Sequence, residues 1–191
     1  MTVQHRARIR PEHHRAYPAS PAGLWFRVVE GHDPDVPDKP GHIWVDLAGK
    51  VQQVPAAHFE MEERTKHRIL VVDDDPGIRQ TLSIALSNVG YEVLQARDGE
   101  EATSIWQQAG PDLVIADIHM PRKSGLLLIE DVNTYSPSTP IIAITDGGPA
   151  KNLSLLGLAE HLGSVRTIAK PFTLEEVVKA VDQAVGRSGG Q

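Results

Sequence analysis

The stretch ILVVDDDPGIR, from Ile69 to Arg79, places three consecutive carboxylates directly after four apolar residues. Carboxylates a few ångströms apart repel one another, so this crowding costs stability unless a positive charge lies among them. A divalent cation is the candidate for that charge. A short apolar run that ends in polar residues is typical of a buried strand. The stretch therefore predicts a strand that ends at a cation site, followed by a helix that begins at Pro76.

From His67 onward, the chain repeats this strand-then-helix order five times. Short apolar runs predict strands at 68–72, 91–96, 112–116, 140–144 and 165–169. Segments that mostly have apolar residues three and four apart predict helices at 76–90, 99–110, 122–134, 149–163 and 173–186. A repeated βα order implies a mainly parallel sheet with helices on both faces, because crossovers are right-handed. The sequence thus predicts an α/β fold with a (βα)5 doubly wound parallel sheet.

Polar side chains stand at the carboxyl ends of four of these strands. Asp73 and Asp74 follow the first strand, Asp117 ends the third, Thr145 ends the fourth and Lys170 ends the fifth. In open parallel sheets, sites form at the carboxyl ends of the strands where the strand order reverses. We therefore expect all five side chains to point into one crevice.

The first sixty residues follow a different pattern. Three short runs predict strands at 24–30, 42–47 and 50–56, separated by turn-forming residues. We expect a small β-rich module over residues 1–60, with an open SH3-like barrel as its form, then a linker over 61–67 and the (βα)5 unit over 68–187. About sixty residues make a marginal core, so the module is expected to depend on docking to the rest of the chain or to a partner.

Composition and charge narrow the classes of function. The 191 residues include no cysteine, which excludes disulfide and thiolate chemistry. Residues 67–191 hold ten Lys and Arg against sixteen Asp and Glu, so nucleic acid is not expected as a partner of this part. The arginines of HRARIR, residues 5–10, are expected to form a solvated tail. No apolar run has the roughly 18–20 residues of a membrane span, so no membrane partner is expected and a cytoplasmic location is the default.

Four motifs in chain order resemble those of the receiver domains of two-component response regulators. They are VVDDDP with Asp73 and Asp74, DIHMPRKSG from Asp117 to Gly125, IIAIT ending at Thr145, and KPF at Lys170 to Phe172. Each motif alone is a weak signal, but four in order at predicted strand ends make a strong one. The resemblance covers residues 67–187 and implies a flavodoxin-like receiver fold.

The resemblance implies roles for these residues. Asp117 would be the phosphorylated residue, a carboxylate nucleophile that accepts a phosphoryl group from a sensor histidine kinase or a phosphotransfer protein. Mg²⁺ would be the cofactor, bound directly by Asp74 and Asp117, by the main-chain carbonyl of His119, and by Asp73 through water.

The remaining roles follow from the same resemblance. Lys170 would pair with the phosphoryl oxygens, and Thr145 would donate its hydroxyl once the group is bound. A cis peptide bond is expected between Lys170 and Pro171. The third carboxylate of the opening stretch, Asp75, is expected to cap the helix that begins at Pro76.

The implied protein is not an enzyme. It is a phosphoprotein of phosphorelay signal transduction that catalyses only its own phosphoryl transfer and dephosphorylation. No DNA-binding motif follows the receiver-like part up to Gln191, so output is expected through contact with an unknown output protein, as a relay, sink or adaptor.

Two positions depart from the family pattern. The aromatic residue usual three positions before the lysine is Thr167, and the small residue usual after the active-site threonine is Asp146. An alternative is therefore a pseudo-receiver, an interaction module that phosphorylation does not regulate. A nucleic-acid-binding regulator that uses the N-terminal arginines is a third reading. The acidic pair of Asp73 and Asp74 is present, and so are Asp117, Thr145 and Lys170. The phosphorylatable response regulator is therefore favoured.

Overall fold

The computed structural model describes residues 4–17, 25–29, 41–47, 50–120, 124–146 and 165–186. Its N-terminal strands are β1 (Gln4–Ile9), β2 (Trp25–Arg27), β3 (His42–Leu47), β4 (Lys50–Pro55) and β5 (Phe59–Arg64). The later strands are β6 (Arg68–Val72), β7 (Glu92–Ala96), β8 (Leu113–Asp117), β9 (Ile141–Asp146) and β10 (Val165–Lys170). The helices are α1 (Pro76–Asn88), α2 (Gly99–Ala109), α3 (Gly125–Tyr135) and α4 (Leu174–Ala184).

Strands β6 to β10 form one parallel sheet in the order β10-β9-β8-β6-β7. The strand order reverses between β6 and β8, which are neighbours and carry the predicted acidic residues at their carboxyl ends. Buried apolar side chains pack on both faces of this sheet. The predicted doubly wound parallel sheet is confirmed. The helix predicted at 149–163 lies outside the described residues.

The residues before α1 explain where this helix begins. The carboxylate of Asp75 accepts hydrogen bonds from the main-chain N–H groups of Gly77, at 2.7 Å, and Ile78, at 3.3 Å. Asp75 is thus the N-cap of α1, as predicted, because it satisfies donors that have no partner within the helix. Leu82 and Leu86, four residues apart on α1, are buried against the sheet. Within the described part of the chain, no helix is long and apolar enough to cross a membrane.

The N-terminal strands form two small antiparallel sheets. Strand β1 lies between β2 and β5, and β3 pairs with β4. A bridge between Val28 and Val45 connects the two sheets. A short 3-10 turn, Ala56–His58, separates β4 from β5. The strands predicted at 42–47 and 50–56 are present, whereas the SH3-like barrel stays a prediction.

Two segments differ from the sequence-based expectation. The arginines at 5–10 were expected in a solvated tail, but residues 4–9 form β1, and only 8% of Arg6 is exposed. This expectation is wrong because Arg6 has a buried acidic partner and Ala7 and Ile9 lie in the core. Residues 59–64 form β5, where most of a linker over 61–67 was expected.

Candidate functional site

Three carboxylates gather at the carboxyl ends of β6 and β8. One carboxylate oxygen from each of Asp73, Asp74 and Asp117 lies within 4.8 Å of the other two. Asp73 and Asp117 are buried, and Asp74 is exposed. The cluster therefore opens to solvent on the side of Asp74, while the other two side chains are held by the protein.

Lys170 brings a positive charge to the two buried carboxylates. Its Nζ lies 2.6 Å from Oδ2 of Asp117 and 3.4 Å from Oδ2 of Asp73. Burial by itself lowers the pKa of Lys170, but its hydrogen bond to Asp117 and the charges of both carboxylates outweigh burial and hold the pKa above its usual value. The side chain is therefore an ammonium that offsets the repulsion between Asp73 and Asp117. The predicted cis peptide between Lys170 and Pro171 is present.

Asp73 is held in place by contacts with residues of the following turn and of α1. Burial raises the pKa of its carboxyl, against the opposing effects of the main-chain N–H of Asp75 and the charge of Lys170. The Asp75 N–H donates to Oδ1 of Asp73 at 2.8 Å. The guanidinium of Arg79 donates to the main-chain oxygen of Asp73 at 2.6 Å. Both contacts hold the turn between β6 and α1.

Arg79 is a site contact that the sequence analysis missed. A positive charge near the N-terminus of a helix opposes the helix dipole. An arginine one turn into α1 was therefore a signal that some other acceptor lies close by.

The hydroxyl of Thr145 is buried and can donate a hydrogen bond to a ligand. Only 2% of this residue, which lies on β9, is exposed, and its Oγ1 has no hydrogen-bond partner among the described residues. An unpaired buried hydroxyl costs about 1–3 kcal/mol. Such a donor suits a ligand that enters beside it.

The loop after β8 shapes the other side of the cluster. The main-chain N–H of His119 donates to Oδ1 of Asp117 at 2.9 Å, and the His119 side chain is exposed. A Cβ at position 125 would overlap the main-chain oxygen of Asp117, so glycine is required there for α3 to approach β8.

The structure brings the predicted site residues together at one edge of the sheet. Asp73, Asp74, Asp117 and Lys170 form a single cluster, and Thr145 lies on the adjacent strand β9. Thr167 is half-buried on β10, while the side chain of Asp146 is outside the description.

The donor set fits a hard divalent cation. Mg²⁺ prefers oxygen ligands, takes one or two carboxylates and keeps several waters. Buried Asp117 and exposed Asp74 offer two such carboxylates within 4.8 Å of each other, with solvent on one side for water ligands. The site is therefore suited to Mg²⁺ by ligand type and by access to water.

A parallel five-stranded sheet with an acidic cluster, a buried threonine and a lysine at its carboxyl edge defines the class of receiver-type α/β proteins. Residues 69–182 match the family model described as response regulator receiver domain. The chain belongs to this family, as its motifs predicted. Residues 1–68 lie outside the matched range.

Curated relatives support the same assignment. "Probable transcriptional regulator ycf27" of Guillardia theta is 35% identical over 130 residues, which is 68% of this chain and 50% of that protein. "Transcriptional regulatory protein GlrR" of Escherichia coli K12 is 30% identical over 128 residues, which is 67% of this chain and 28% of that protein. The chain thus spans about half the length of these relatives, or less.

Solved structures match in fold. The chemotaxis response regulator CheY4 of Vibrio cholerae is 33% identical with a TM-score of 0.56, over 63% of this chain and 99% of that chain. A structure described as adenylate cyclase from Rhodopirellula baltica is 27% identical with a TM-score of 0.58, over 64% of this chain and 89% of that chain. The receiver fold is therefore shared with proteins of different described functions.

Proposed function

We propose that this chain is a two-component response regulator whose Asp117 accepts a phosphoryl group from a phosphohistidine of a sensor histidine kinase or a phosphotransfer protein. The observation that carries the proposal is the environment of Asp117. Its carboxylate is buried, lies 2.6 Å from the Lys170 ammonium, and belongs to a cluster of three carboxylates within 4.8 Å. This arrangement suits a nucleophile that receives a highly charged group.

The chain's own residues supply most of the chemistry. A carboxylate oxygen of Asp117 forms the new bond to phosphorus, while the phosphorus–nitrogen bond breaks and its electron pair stays with the donor imidazole. The Lys170 ammonium pairs with a phosphoryl oxygen, and the Thr145 hydroxyl donates to another. When bound, Mg²⁺ supplies the positive charge that lets two anions meet. Asp74 and Asp117 would hold it directly, and Asp73 and the His119 carbonyl would complete the set, Asp73 through water.

Signalling by contact with an output protein, at a cytoplasmic location, is part of the proposal. The relatives' printed names describe transcriptional regulators. The expectation that nucleic acid is not a partner therefore has no support from them and is not carried further. The chain itself is proposed to act as a phosphoacceptor, not as an enzyme on a separate substrate.

The pseudo-receiver remains the second candidate. It is favoured by Thr167, which is half-buried on β10 where the family pattern has an aromatic residue. Against it stands the buried hydroxyl of Thr145, which has no hydrogen-bond partner among the described residues and is free to donate to a phosphoryl group.

Incubation with acetyl phosphate and Mg²⁺ distinguishes the two candidates. Intact mass spectrometry should show one added phosphoryl group on the wild type and none on Asp117→Asn. A pseudo-receiver would show no addition to either chain.

A further inference from the structure

Both strands that carry the acidic cluster begin against the N-terminal strands. Strand β6 begins at Arg68, and β8 begins one residue after Asp112. Arg6 of β1 donates to Oδ1 of Asp112 through Nε, at 2.9 Å, and through a terminal nitrogen. The main-chain N–H of Arg68 donates to Oδ2 of Asp112 at 2.8 Å. Asp112 thus joins the start of β6 to the start of β8 and joins both to β1.

This group of charges, which we term the junction (Arg6, Arg64, Arg68 and Asp112), is mostly buried. The side chains of Arg6 and Asp112 are 9% and 6% exposed. Arg64 of β5 is 5% exposed and lies 3.8 Å from Oδ2 of Asp112. Removing one partner of a buried ion pair leaves the other charge uncompensated, which costs far more than losing an exposed pair. The junction is therefore a fixed connection and not a surface contact.

The N-terminal strands also cap the carboxyl end of α2. Nε1 of Trp25 donates to the main-chain oxygen of Gln108 at 2.8 Å. The guanidinium of Arg64 donates to the oxygens of Ala109, at 3.1 Å, and Gly110, at 2.9 Å. The last carbonyls of a helix lack partners within it, and positive charge there complements the helix dipole. The carboxyl end of α2 is therefore held by the same N-terminal strands that contact the starts of β6 and β8.

We propose that strands β1, β2 and β5 act as a positioning element for the acidic cluster by fixing the placement of β8 relative to β6. The two strands pair directly from Ile69 with Leu113 to Val72 with Ala116. Asp117 lies five positions after Asp112, which is about 17 Å at about 3.3 Å per residue. Because interiors are close-packed, a displacement at the start of a buried strand is passed to its end.

Cation binding is the property that such a displacement would change. Mg²⁺ demands near-ideal octahedral geometry, so its affinity depends on the separation of the Asp74 and Asp117 carboxylates. The inference rests on the proposed function, since its readout is Mg²⁺ binding at that site.

The test compares Arg6→Gln with Arg8→Gln in the full-length chain. Arg8 lies on the same strand and pairs with Glu60, but those side chains are 34% and 40% exposed. Both substitutions remove one positive charge from β1, and only Arg6→Gln breaks the junction. Isothermal titration calorimetry with Mg²⁺ should show about a fivefold or greater loss of affinity for Arg6→Gln, in the range typical of coupled sites. Arg8→Gln should keep the wild-type affinity; equal affinities in both variants would overturn the inference.

Loss of stability must be separated from loss of positioning. Val54 of β4 is buried in the apolar core and is not part of the junction. Val54→Ala should lower the unfolding temperature, because it leaves a cavity, and should leave the Mg²⁺ affinity unchanged in the folded protein. If Val54→Ala weakened Mg²⁺ binding as much as Arg6→Gln, the positioning role would be refuted.

A second measurement needs no variant and holds even if Arg6→Gln does not fold. Because coupling between sites is reciprocal, Mg²⁺ should slow hydrogen exchange of the β1 amides in the wild type. Unchanged exchange in β1 on saturation with Mg²⁺ would contradict the inference. A wild type that binds no Mg²⁺ would instead refute the metal site of the proposed function, so the two failures give different results.

Discussion

At the scale of single residues, Lys170 offsets the repulsion among neighbouring carboxylates. Its ammonium lies between Asp117 and Asp73, at 2.6 and 3.4 Å, and leaves the exposed Asp74 to solvent. A cation bound by Asp74 and Asp117 would relieve the remaining repulsion. The site is thus built to gain stability from a divalent ion.

Mg²⁺ should therefore raise the unfolding temperature. Binding to the folded state alone is worth about 2.7 kcal/mol at one hundred times the dissociation constant. Asp74→Ala should abolish the rise, as followed by circular dichroism with and without Mg²⁺. Asp75→Ala is the matched control, because it removes the α1 cap from the same loop, costs about 1 kcal/mol and should keep the response. An unchanged Mg²⁺ response in Asp74→Ala would rule out this ligand set.

Thr145→Val should separate stability from phosphoryl recognition. Its buried hydroxyl is unpaired among the described residues, so replacing it with a methyl group should leave the unfolding temperature unchanged or higher. Beryllium fluoride, a mimic of the phosphoryl group, should add to the stabilisation by Mg²⁺ in the wild type. That additional gain should be clearly smaller in Thr145→Val, because one hydrogen bond to the bound group is lost while Asp117 and Lys170 remain.

The control for this prediction is Thr139→Val. Thr139 is also buried, but its hydroxyl is paired with that of Ser136 at 2.9 Å. This variant should lose about 0.5–1.5 kcal/mol and keep the response to beryllium fluoride. A full response in Thr145→Val would show that the hydroxyl does not contact the bound group.

At the scale of elements, the end of α2 carries one of the contacts between the N-terminal strands and the receiver. Gly110 follows α2 at φ +53°, and a Cβ there would overlap the side chain of Trp25. Gly90 follows α1 at φ +98°, and no described atom lies within 4 Å of its Cβ position. The two glycines share a positive φ, which would strain any residue with a Cβ, and they differ in the atoms that surround them.

Gly110→Ala should therefore cost more than Gly90→Ala. In both variants the left-handed conformation of alanine lowers the free energy of unfolding by about 1–2 kcal/mol. In Gly110→Ala, overpacking against Trp25 lowers it by about 1–3 kcal/mol more. Urea unfolding of both variants measures the difference. Equal losses would mean that Trp25 does not pack on Gly110 in solution.

The strands of the parallel sheet could be predicted because short apolar runs alternate with helical patterns along the chain, and four of the five runs lead into a polar residue of the candidate site. Strand β8, for example, is buried throughout from Leu113 to Asp117. Strand β1 could not be predicted in this way, because its arginines have the pattern of a solvated segment. The acidic partner of Arg6 lies 106 residues away and that of Arg8 lies 52 residues away. Only the tertiary structure shows that these charges are paired.

For the candidate site, too, some features could be predicted from the sequence and others could not. The grouping of Asp73, Asp74, Asp117 and Lys170 follows from the parallel order of the strands, which places their carboxyl ends at one edge. The unpaired state of the Thr145 hydroxyl and the contact of Arg79 with the Asp73 carbonyl depend on side-chain geometry. No spacing rule in the sequence determines either feature.

At the scale of the whole molecule, the N-terminal strands and the receiver share one apolar cluster. This cluster includes Phe26 and Phe59 on one side and Trp106 and Val114 on the other. Together with the buried junction, it makes the two parts mutually dependent. We expect thermal unfolding to be a single transition, the same by tryptophan fluorescence and by circular dichroism.

A chain that begins at Met61 should lose stability or aggregate. It lacks β1, which pairs with β5 from Gln4 with Arg64 to Ile9 with Phe59, and it leaves Asp112 without Arg6. Buried apolar surface on the receiver would also be exposed. Thermal unfolding and size-exclusion chromatography measure the effect. A shortened chain as stable as the full one, and monomeric, would show that the N-terminal strands are merely appended.

Locating the modified residue decides whether Asp117 is the phosphoryl acceptor. Borohydride reduces an aspartyl phosphate to homoserine, so the mass of a peptide identifies the modified residue. After incubation with acetyl phosphate and Mg²⁺, our expectation is homoserine at position 117, and none when Mg²⁺ is chelated beforehand. Homoserine at another aspartate, or no conversion although the chain is folded and Mg²⁺ is bound, would contradict it.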